Sequence, residues 1–147
     1  MKHVDIYTDG ACRGNPGKGG WSAILVYAGV EKEISGFAPS TTNNRMELTA
    51  AIEALRCLKY RCEVDLYSDS SYLVNAVNRG WLLHWYSHNW KNSSRRAVKN
   101  KELWKQFWGL LNSHEVTMHW VKGHNGHDYN ERCDALANAA IDANNQM

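Results

Sequence analysis

Two predicted strands, far apart in the chain, end in nearly the same four residues. Residues 3–9 alternate between apolar and polar side chains and run into the letters YTDG, whereas residues 63–69 run into YSDS. The alternation predicts a β-strand over 3–9, and we predict a second strand over 63–69. If the two strands are parallel neighbours, Asp9 and Asp69 stand side by side at the carboxyl edge of a sheet, where ligands of open α/β sheets collect.

A pair of aspartates at this edge has a specific chemical consequence. Two carboxylates so close repel each other unless a cation lies between them, and hard oxygen ligands suit Mg²⁺ or Mn²⁺. The alternative is that Asp9 and Asp69 are turn-forming residues that bind only the local backbone. The residues alone leave both interpretations open.

The remaining segments predict an α/β domain with a five-stranded mixed sheet. Residues 21–28 and 31–38 are predicted to form a hairpin, so that the first three strands make an antiparallel meander. The glycine-rich residues 10–20 are predicted to be a loop. Apolar residues recur at helical spacing after Thr42, where Asn44 and Glu47 have the spacing of a capping box. The rest of the chain alternates helix and strand, with helices at 71–79, 100–112 and 130–143 and strands at 63–69 and 115–121.

Length and composition are those of an ordinary globular domain. The 147 residues, 44% hydrophobic and 22% charged, predict one domain over 1–147 with its own core. No apolar run is long enough for a membrane helix, and the first residues lack the apolar stretch of a signal peptide. The four cysteines form no CxxC pair, which favours reduced thiols. We therefore expect a cytoplasmic monomer with no membrane partner.

Two further acids are candidates for the same site. Glu47, early in the predicted first helix, and Asp134, near the start of the last one, flank apolar stripes. Each is either a partner of the helix dipole or a site residue. Four acids brought together from two strand ends and two helix starts would form a cage able to hold two metal ions for phosphoryl displacement.

Two other features suit a reaction on nucleic acid. His124 lies on a glycine-flanked segment, where it is either a proton shuttle or a solvated loop histidine. Residues 81–105 combine tryptophans with six Lys or Arg against one acid. Bases stack on such rings while the cations neutralise phosphates, although a surface helix with a packed tryptophan face would give the same pattern.

Four sequence blocks in this order resemble ribonuclease H of the type 1 family over essentially the whole chain: YTDGACRGNPG, TTNNRMEL, YSDSSYLV and VKGHNGHDYNERCDALA. The resemblance implies a ribonuclease H-like α/β fold, with an antiparallel meander of three strands plus two parallel strands, flanked by helices. It also implies endonucleolytic hydrolysis of the RNA strand of RNA–DNA hybrids with two Mg²⁺ ions, for which Mn²⁺ can substitute. The products would carry 5′-phosphate and 3′-hydroxyl ends.

The family's functional residues carry over onto this sequence position by position. The resemblance places the metal-binding, catalytic acids on Asp9, Glu47, Asp69 and Asp134, and the family's mobile histidine on His124. It implies contacts to RNA 2′-hydroxyls from Asn15, Asn43, Asn44 and the backbone near Cys12. It implies contacts to the DNA strand from Thr42, Tyr72, Trp81, Trp85 and Asn100.

The chain departs from the family pattern at two places. Many bacterial relatives have a Lys/Arg cluster directly after the position of Trp85, a basic protrusion, where this chain has residues 86–89. Part of that charge is restored by Lys91, Arg95, Arg96 and Lys99. Some relatives also have an arginine in the DNA-phosphate pocket at the position of Ser40. We expect the chemistry to survive both departures and the affinity for substrate to be lower.

Two other functions stay open at this point. One is a non-catalytic hybrid-binding module, which the retention of all four acids and of His124 argues against. The other is a nuclease, integrase or junction resolvase of the same fold, which the asparagine-rich 2′-hydroxyl contacts argue against. We expect no separate hybrid-binding domain, and a partner such as a single-strand-binding protein cannot be inferred from the sequence.

Overall fold

The computed structural model of the chain describes residues 1–122 and 128–144. Three strands come first in these residues, and helices with two further strands follow. The order is β1 (Lys2–Gly14), β2 (Gly17–Tyr27), β3 (Val30–Thr41), α1 (Asn43–Arg56), β4 (Cys62–Ser68), α2 (Ser71–Asn78), α3 (Trp81–Ser87), α4 (Lys101–Ser113), β5 (Glu115–Trp120) and α5 (Asp128–Asn144). Within this described part, no helix has the length and apolar character needed to cross a membrane.

The strands form one mixed sheet in the order β3-β2-β1-β4-β5. β1, β2 and β3 pair antiparallel, whereas β4 is parallel to both β1 and β5. The predicted five-stranded mixed sheet is therefore confirmed. In the register of β1 and β4, Tyr7 lies opposite Tyr67, so the two similar tetrapeptides end side by side.

The core lies between one face of the sheet and the helices α1, α2 and α4. Val4, Ile6 and Thr8 of β1 point into it, and Trp104 and Phe107 of α4 are fully buried there. Burying each large apolar side chain contributes about 1.5–3 kcal/mol relative to leaving it exposed. The other sheet face is covered in part by α5, which packs on β1, β2 and β3.

The glycine-rich segment 10–20 is mostly paired strand with a two-residue turn rather than a loop, so that prediction is wrong. β1 continues to Gly14 and β2 starts at Gly17, which leaves only two residues between them. The glycines serve close packing instead of a wide turn. At Gly20, for example, a Cβ atom would collide with the carbonyl of Ala137 in α5.

Two helix predictions also need correction. α1 begins one residue after Thr42, whose Oγ1 accepts the N–H of Arg45 at 3.3 Å, so Thr42 and not Asn44 is the N-cap. Residues 81–87 form α3, which the periodicity did not predict. This helix is only seven residues long and lacks a side-chain cap, so it has neither of the signals by which a helix is recognised in sequence.

Candidate active site

Asp9 and Asp69 each lie two residues beyond Tyr7 and Tyr67, the last parallel pair of β1 and β4. Asp9 is still within β1, which continues to Gly14, whereas Asp69 directly follows β4. The chain around Asp69 is held by local hydrogen bonds. Ser68 Oγ accepts the N–H of Ser70 at 3.0 Å, and the indole N–H of Trp120 donates to the Asp69 carbonyl at 3.2 Å. The predicted juxtaposition of the two aspartates at one sheet edge is thus what the fold produces.

Glu47 reaches the same point from α1, where its side chain is buried. A glycine makes this approach feasible, since a Cβ atom at Gly10 would lie 2.5 Å from the backbone nitrogen of Glu47. β1 and α1 therefore touch through their backbones next to Asp9. One carboxylate oxygen from each of Asp9, Glu47 and Asp69 lies within 4.8 Å of the others.

The electrostatics of this cluster are those of like charges held out of water. Burial, and then the charge of Asp69, raises the pKa of Asp9 to about 8, although the N–H of Gly10 donates to Asp9 at 2.9 Å and opposes the shift. Burial, followed by the charges of Asp9 and Asp69, raises the pKa of Glu47 well above its ordinary value. The cluster consequently favours a bound proton or a bound cation over three free charges.

Asp134 of α5 lies next to Asp9, although it is not among the three residues whose ligand atoms lie within 4.8 Å of one another. Its carboxylate faces Asp9 and contributes to the raised pKa of that residue. The start of α5 is tied to the sheet by Ser22, whose Oγ donates to the Cys133 carbonyl at 2.6 Å, and by the Cys133 thiol, which donates to the Tyr7 carbonyl at 3.4 Å. These bonds fix the turn of α5 that carries Asp134.

His124, the predicted proton shuttle, lies outside the described residues. The described chain leads toward it from β5, where the N–H of Val121 donates to the Ser68 carbonyl at 2.9 Å. The role of His124 stays a prediction.

The residues assigned to RNA contacts lie where β1, β2 and α1 meet. Asn15 Oδ1 accepts the N–H of Asn43 at 3.3 Å, and the side chains of Asn15, Asn43 and Asn44 are exposed. Cys12 is half-buried, and its thiol donates to backbone carbonyls, the nearest at 2.7 Å. Asn43 and Asn44 precede Glu47 by one helical turn on the same side of α1.

Thr42 and Asn100, the residues assigned to a DNA phosphate, stand directly before α1 and α4. Asn100, the residue before α4, donates through Nδ2 to the hydroxyl of Tyr72 at 3.2 Å. The indole N–H of Trp104 donates to the same hydroxyl at 2.9 Å, which locks the Tyr72 ring in place. Thr42 is the N-cap of α1.

Arg45 lies beside Asn100, and the sequence did not predict it as a site residue. Its guanidinium donates to Asn100 Oδ1 at 3.1 Å and pairs with the Glu102 carboxylate at 2.6 Å. Arg45 therefore brings a guanidinium group to the side of Asn100, where it is paired with Glu102. Its position in the sequence could have indicated this, because Arg45 follows the cap Thr42 by three residues, which is one turn along the surface of α1.

The aromatic and basic segment 81–105 presents exposed rings and cations around Asn100. Trp81 is exposed, and Trp85 is half-buried against Trp104, with 5.4 Å between ring centroids. Trp90 is buried, so only part of the tryptophan set is available to a ligand. The cations of the predicted basic protrusion are all exposed: Lys91, Arg95, Arg96 and Lys99.

The chemistry of the cluster fits a divalent metal ion. Among the described residues, Glu47 Oε1 and Asp69 Oδ1 are buried oxygens that lack a hydrogen-bond partner. Such oxygens are costly to bury unless something other than a donor satisfies them. An all-carboxylate donor set is typical of Mg²⁺ or Mn²⁺ and not of softer metals.

The fold and the site together define a class of protein. It is an α/β protein with a carboxylate site, suited to divalent cations, where its parallel strands β1 and β4 stop pairing. The comparisons with known proteins make the class specific. The RNase H family model matches residues 1–142. A ribonuclease H from Chlorobium phaeobacteroides strain BS1 is 59% identical over 144 residues, which are 98% of this chain and 99% of that protein. The chain belongs to the RNase H family and is thereby a hydrolase of the nuclease type.

Solved structures agree with this assignment. LC9-RNase H1, described as a type 1 RNase H, is 35% identical and superposes with a TM-score of 0.87 over 97% of this chain and 74% of its own. LC11-RNase H1, solved in complex with an RNA/DNA hybrid, is 25% identical with a TM-score of 0.70 over 96% of this chain and 98% of its own.

Proposed function

We propose that this protein is a Mg²⁺-dependent endoribonuclease that hydrolyses the RNA strand of RNA–DNA hybrids and leaves 5′-phosphate and 3′-hydroxyl ends. The observation that carries the proposal is the convergence of carboxylate oxygens from Asp9, Glu47 and Asp69 within 4.8 Å at one sheet edge. Membership of the RNase H family supports the reaction type. The hybrid bound by LC11-RNase H1 supports the substrate class.

Asp9, Glu47, Asp69 and Asp134 would hold two ions, Mg²⁺ or in its place Mn²⁺. Bound there, the metal would supply a water of lowered pKa and compensate the charge on the departing 3′ oxygen. The protein's own part is to keep the acids together and to shield them from solvent. His124 would carry a proton to or from the reacting phosphate or assist the release of product.

Recognition of the RNA strand is assigned to Asn15, Asn43, Asn44 and the backbone near Cys12. A 2′-hydroxyl both donates and accepts, and an amide side chain offers both functions, so this pair of groups distinguishes ribose from deoxyribose. The position of Asn43 and Asn44 one helical turn before Glu47 supports contacts close to the scissile phosphate.

Recognition of the DNA strand is assigned to the residues at the N-terminal ends of α1 and α4 and to the aromatic surface. Thr42, Asn100 and Arg45 would bind one DNA phosphate, with the guanidinium providing the charge. The Tyr72, Trp81 and Trp85 rings would lie against deoxyribose, where a 2′-hydroxyl has no partner. The exposed cations of the basic protrusion would add sequence-independent affinity by releasing counterions from the duplex.

The proposal extends to the cellular setting. The cysteines of the chain are free thiols, which supports a reducing compartment, and we assign the protein to the cytoplasm as a monomeric single-domain enzyme.

The test is a cleavage assay with four matched substrates: an RNA–DNA hybrid, a DNA duplex, an RNA duplex and the single-stranded RNA. We expect cleavage of the hybrid alone, with Mg²⁺ and not with EDTA, and a ligatable 5′-phosphate on the product. Binding of the hybrid without cleavage would identify a hybrid-binding module instead. Cleavage of the DNA duplex at a comparable rate would identify a nuclease of the same fold but different specificity. Glu47→Gln serves as the matched inactive control.

A further inference from the structure

A second group of potential metal ligands lies on the sheet face opposite the core, near the start of β1 and β4. His3 and Asp5 of β1 and Asp65 of β4 each offer one ligand atom, and these atoms lie within 4.8 Å of one another. Their side chains are accessible, from 27% exposed for Asp65 to 44% for His3. The family reaction as proposed above makes no use of them.

The spacing within this group matches tetrahedral coordination. His3 Nε2 is 3.1 Å from Asp5 Oδ1 and 3.3 Å from Asp65 Oδ2. Metal–ligand bonds of about 2.0–2.2 Å at tetrahedral angles separate neighbouring ligands by about 3.3 Å. The two distances from His3 thus match those between neighbouring corners of such a polyhedron, and the two carboxylate oxygens lie within 4.8 Å of each other.

The group is also held in place by its neighbours. His119 Nε2 lies 2.6 Å from Asp65 Oδ1, the oxygen that His3 does not contact. The His119 ring is stacked on Tyr67 with 4.7 Å between ring centroids, and Tyr67 is stacked on Tyr7 at 4.9 Å. A histidine fixed by a stack and bonded to a ligating carboxylate is the arrangement that orients ligands around protein metal sites.

We propose that His3, Asp5 and Asp65 form a binding site for a transition-metal ion of borderline hardness, for which Zn²⁺ is the probe, and that His119 positions Asp65. A mixed imidazole and carboxylate set favours Zn²⁺ over Mg²⁺, in contrast to the all-carboxylate cluster at Asp9. The two sites are separate, since Asp5 precedes Asp9 by four residues of extended strand, which is about 13 Å. A metal ion here would fasten β1 to β4 on the sheet face that α5 leaves open.

The alternative to a metal ion is a proton on the His3 ring. The contacts of His3 with Asp5, Asp65 and Glu63 would then be ordinary ion pairs. One other pair of neighbouring histidines among the described residues could also bind Zn²⁺. His84 and His88 of the α3 region stack with 3.8 Å between ring centroids, at a spacing of one helical turn. The experiment has to separate the proposed site from both.

The test is calorimetric titration of the untagged protein with Zn²⁺, at a pH where imidazoles are largely neutral and with excess Mg²⁺ to occupy the acid cluster. We expect one ion per chain at the proposed site. His3→Gln and Asp65→Asn should each weaken it at least tenfold, while His84→Gln leaves it unchanged. His119→Gln should weaken it roughly 10–100-fold, while the melting temperature of the metal-free variant stays that of the wild type.

A spectroscopic measurement complements the titration. Co²⁺ in place of Zn²⁺ should give the intense visible bands of a tetrahedral ion, and His3→Gln should remove them. Absence of Zn²⁺ binding in the wild type, or binding that persists unchanged in His3→Gln, would leave only the ion-pair arrangement and overturn the proposal. Loss of the binding in His84→Gln would assign the ion to α3 and overturn it as well.

Discussion

Asp9→Asn should stabilise the metal-free protein at pH values above the raised pKa of Asp9, because there it removes one charge from a cluster that neither a proton nor a metal ion neutralises. Asp9 and Asp69 have ligand oxygens within 4.8 Å of each other. At that separation, and at an effective dielectric constant of about 20, two unit charges repel by about 3.5 kcal/mol. The substitution also weakens the hydrogen bond from the N–H of Gly10, at a cost of about 1 kcal/mol. The net gain in the free energy of unfolding is therefore about 2–3 kcal/mol.

The size of this gain depends on pH in a defined direction. The pKa of Asp9 is raised to about 8 in the folded protein, above the ordinary carboxyl value of about 4 in the unfolded chain. Between these values the folded state binds more protons than the unfolded state, so the stability of the metal-free wild type falls as pH rises from about 4 to about 8. Asp9→Asn lacks this contribution, and its advantage grows across the same window.

The assay is thermal unfolding in EDTA at about pH 5 and about pH 8.5. A gain of 2–3 kcal/mol corresponds to a melting temperature higher by roughly 5–10 °C for a domain of this size, and we expect it at the higher pH. Glu115→Gln is the control, since this exposed acid faces Arg61 at 3.8 Å and should change the stability little. With Mg²⁺ the wild type should recover most of the difference. A variant no more stable than the wild type at pH 8.5, or a difference independent of pH, would refute the argument.

Three further predictions address recognition, stability and turnover. Arg45→Gln should raise KM for the hybrid roughly tenfold with little change in kcat and reduce the salt dependence of binding, whereas Arg61→Gln at the far end of the sheet should do neither. Burial lowers the pKa of His114, so the unfolded chain binds a proton there more readily than the folded protein. With Mg²⁺ present, the free energy of unfolding should therefore fall as pH drops below about 6.5. In a plot of this free energy against pH, His114→Asn should flatten the fall, whereas His84→Asn should not. His124→Ala should lower kcat by roughly 10–10³-fold at nearly constant KM in steady-state assays; a large rise in KM with unchanged kcat would make it a binding residue instead.

The central part of the site could be predicted because short stretches of consecutive residues indicate it. The similar residues at 7–10 and 67–70 indicated equivalent positions on two strands, and the structure makes these strands parallel neighbours with Tyr7 opposite Tyr67, although β1 continues beyond Asp9 to Gly14. The positions of Glu47 and Asp134 followed from the resemblance, and each lies next to Asp9 in the fold. The specific roles of these residues stay predictions until activity is measured.

The features that the sequence did not reveal depend on contacts between distant segments. Glycines in 10–20 suggested a loop because a sequence does not show which backbone will pack against them, such as α5 against Gly20. In the sequence, Arg45 cannot be told from any other surface residue of a helix. Only the fold places Asn100, the residue before α4, beside it. The group around His3 exists only because the parallel register of β1 and β4 sets Asp5 opposite Asp65.

The most direct test of the central claim is single-turnover cleavage of an RNA–DNA hybrid by Glu47→Gln, with hybrid affinity measured in parallel. If the carboxylates of Asp9, Glu47 and Asp69 hold the metal that carries out hydrolysis, removing one ligand charge should slow cleavage in Mg²⁺ by about 10³-fold, because metal catalysis contributes several kcal/mol. The affinity for the hybrid should stay within a few-fold of the wild type. Cleavage by Glu47→Gln within tenfold of the wild-type rate in Mg²⁺ would contradict the account.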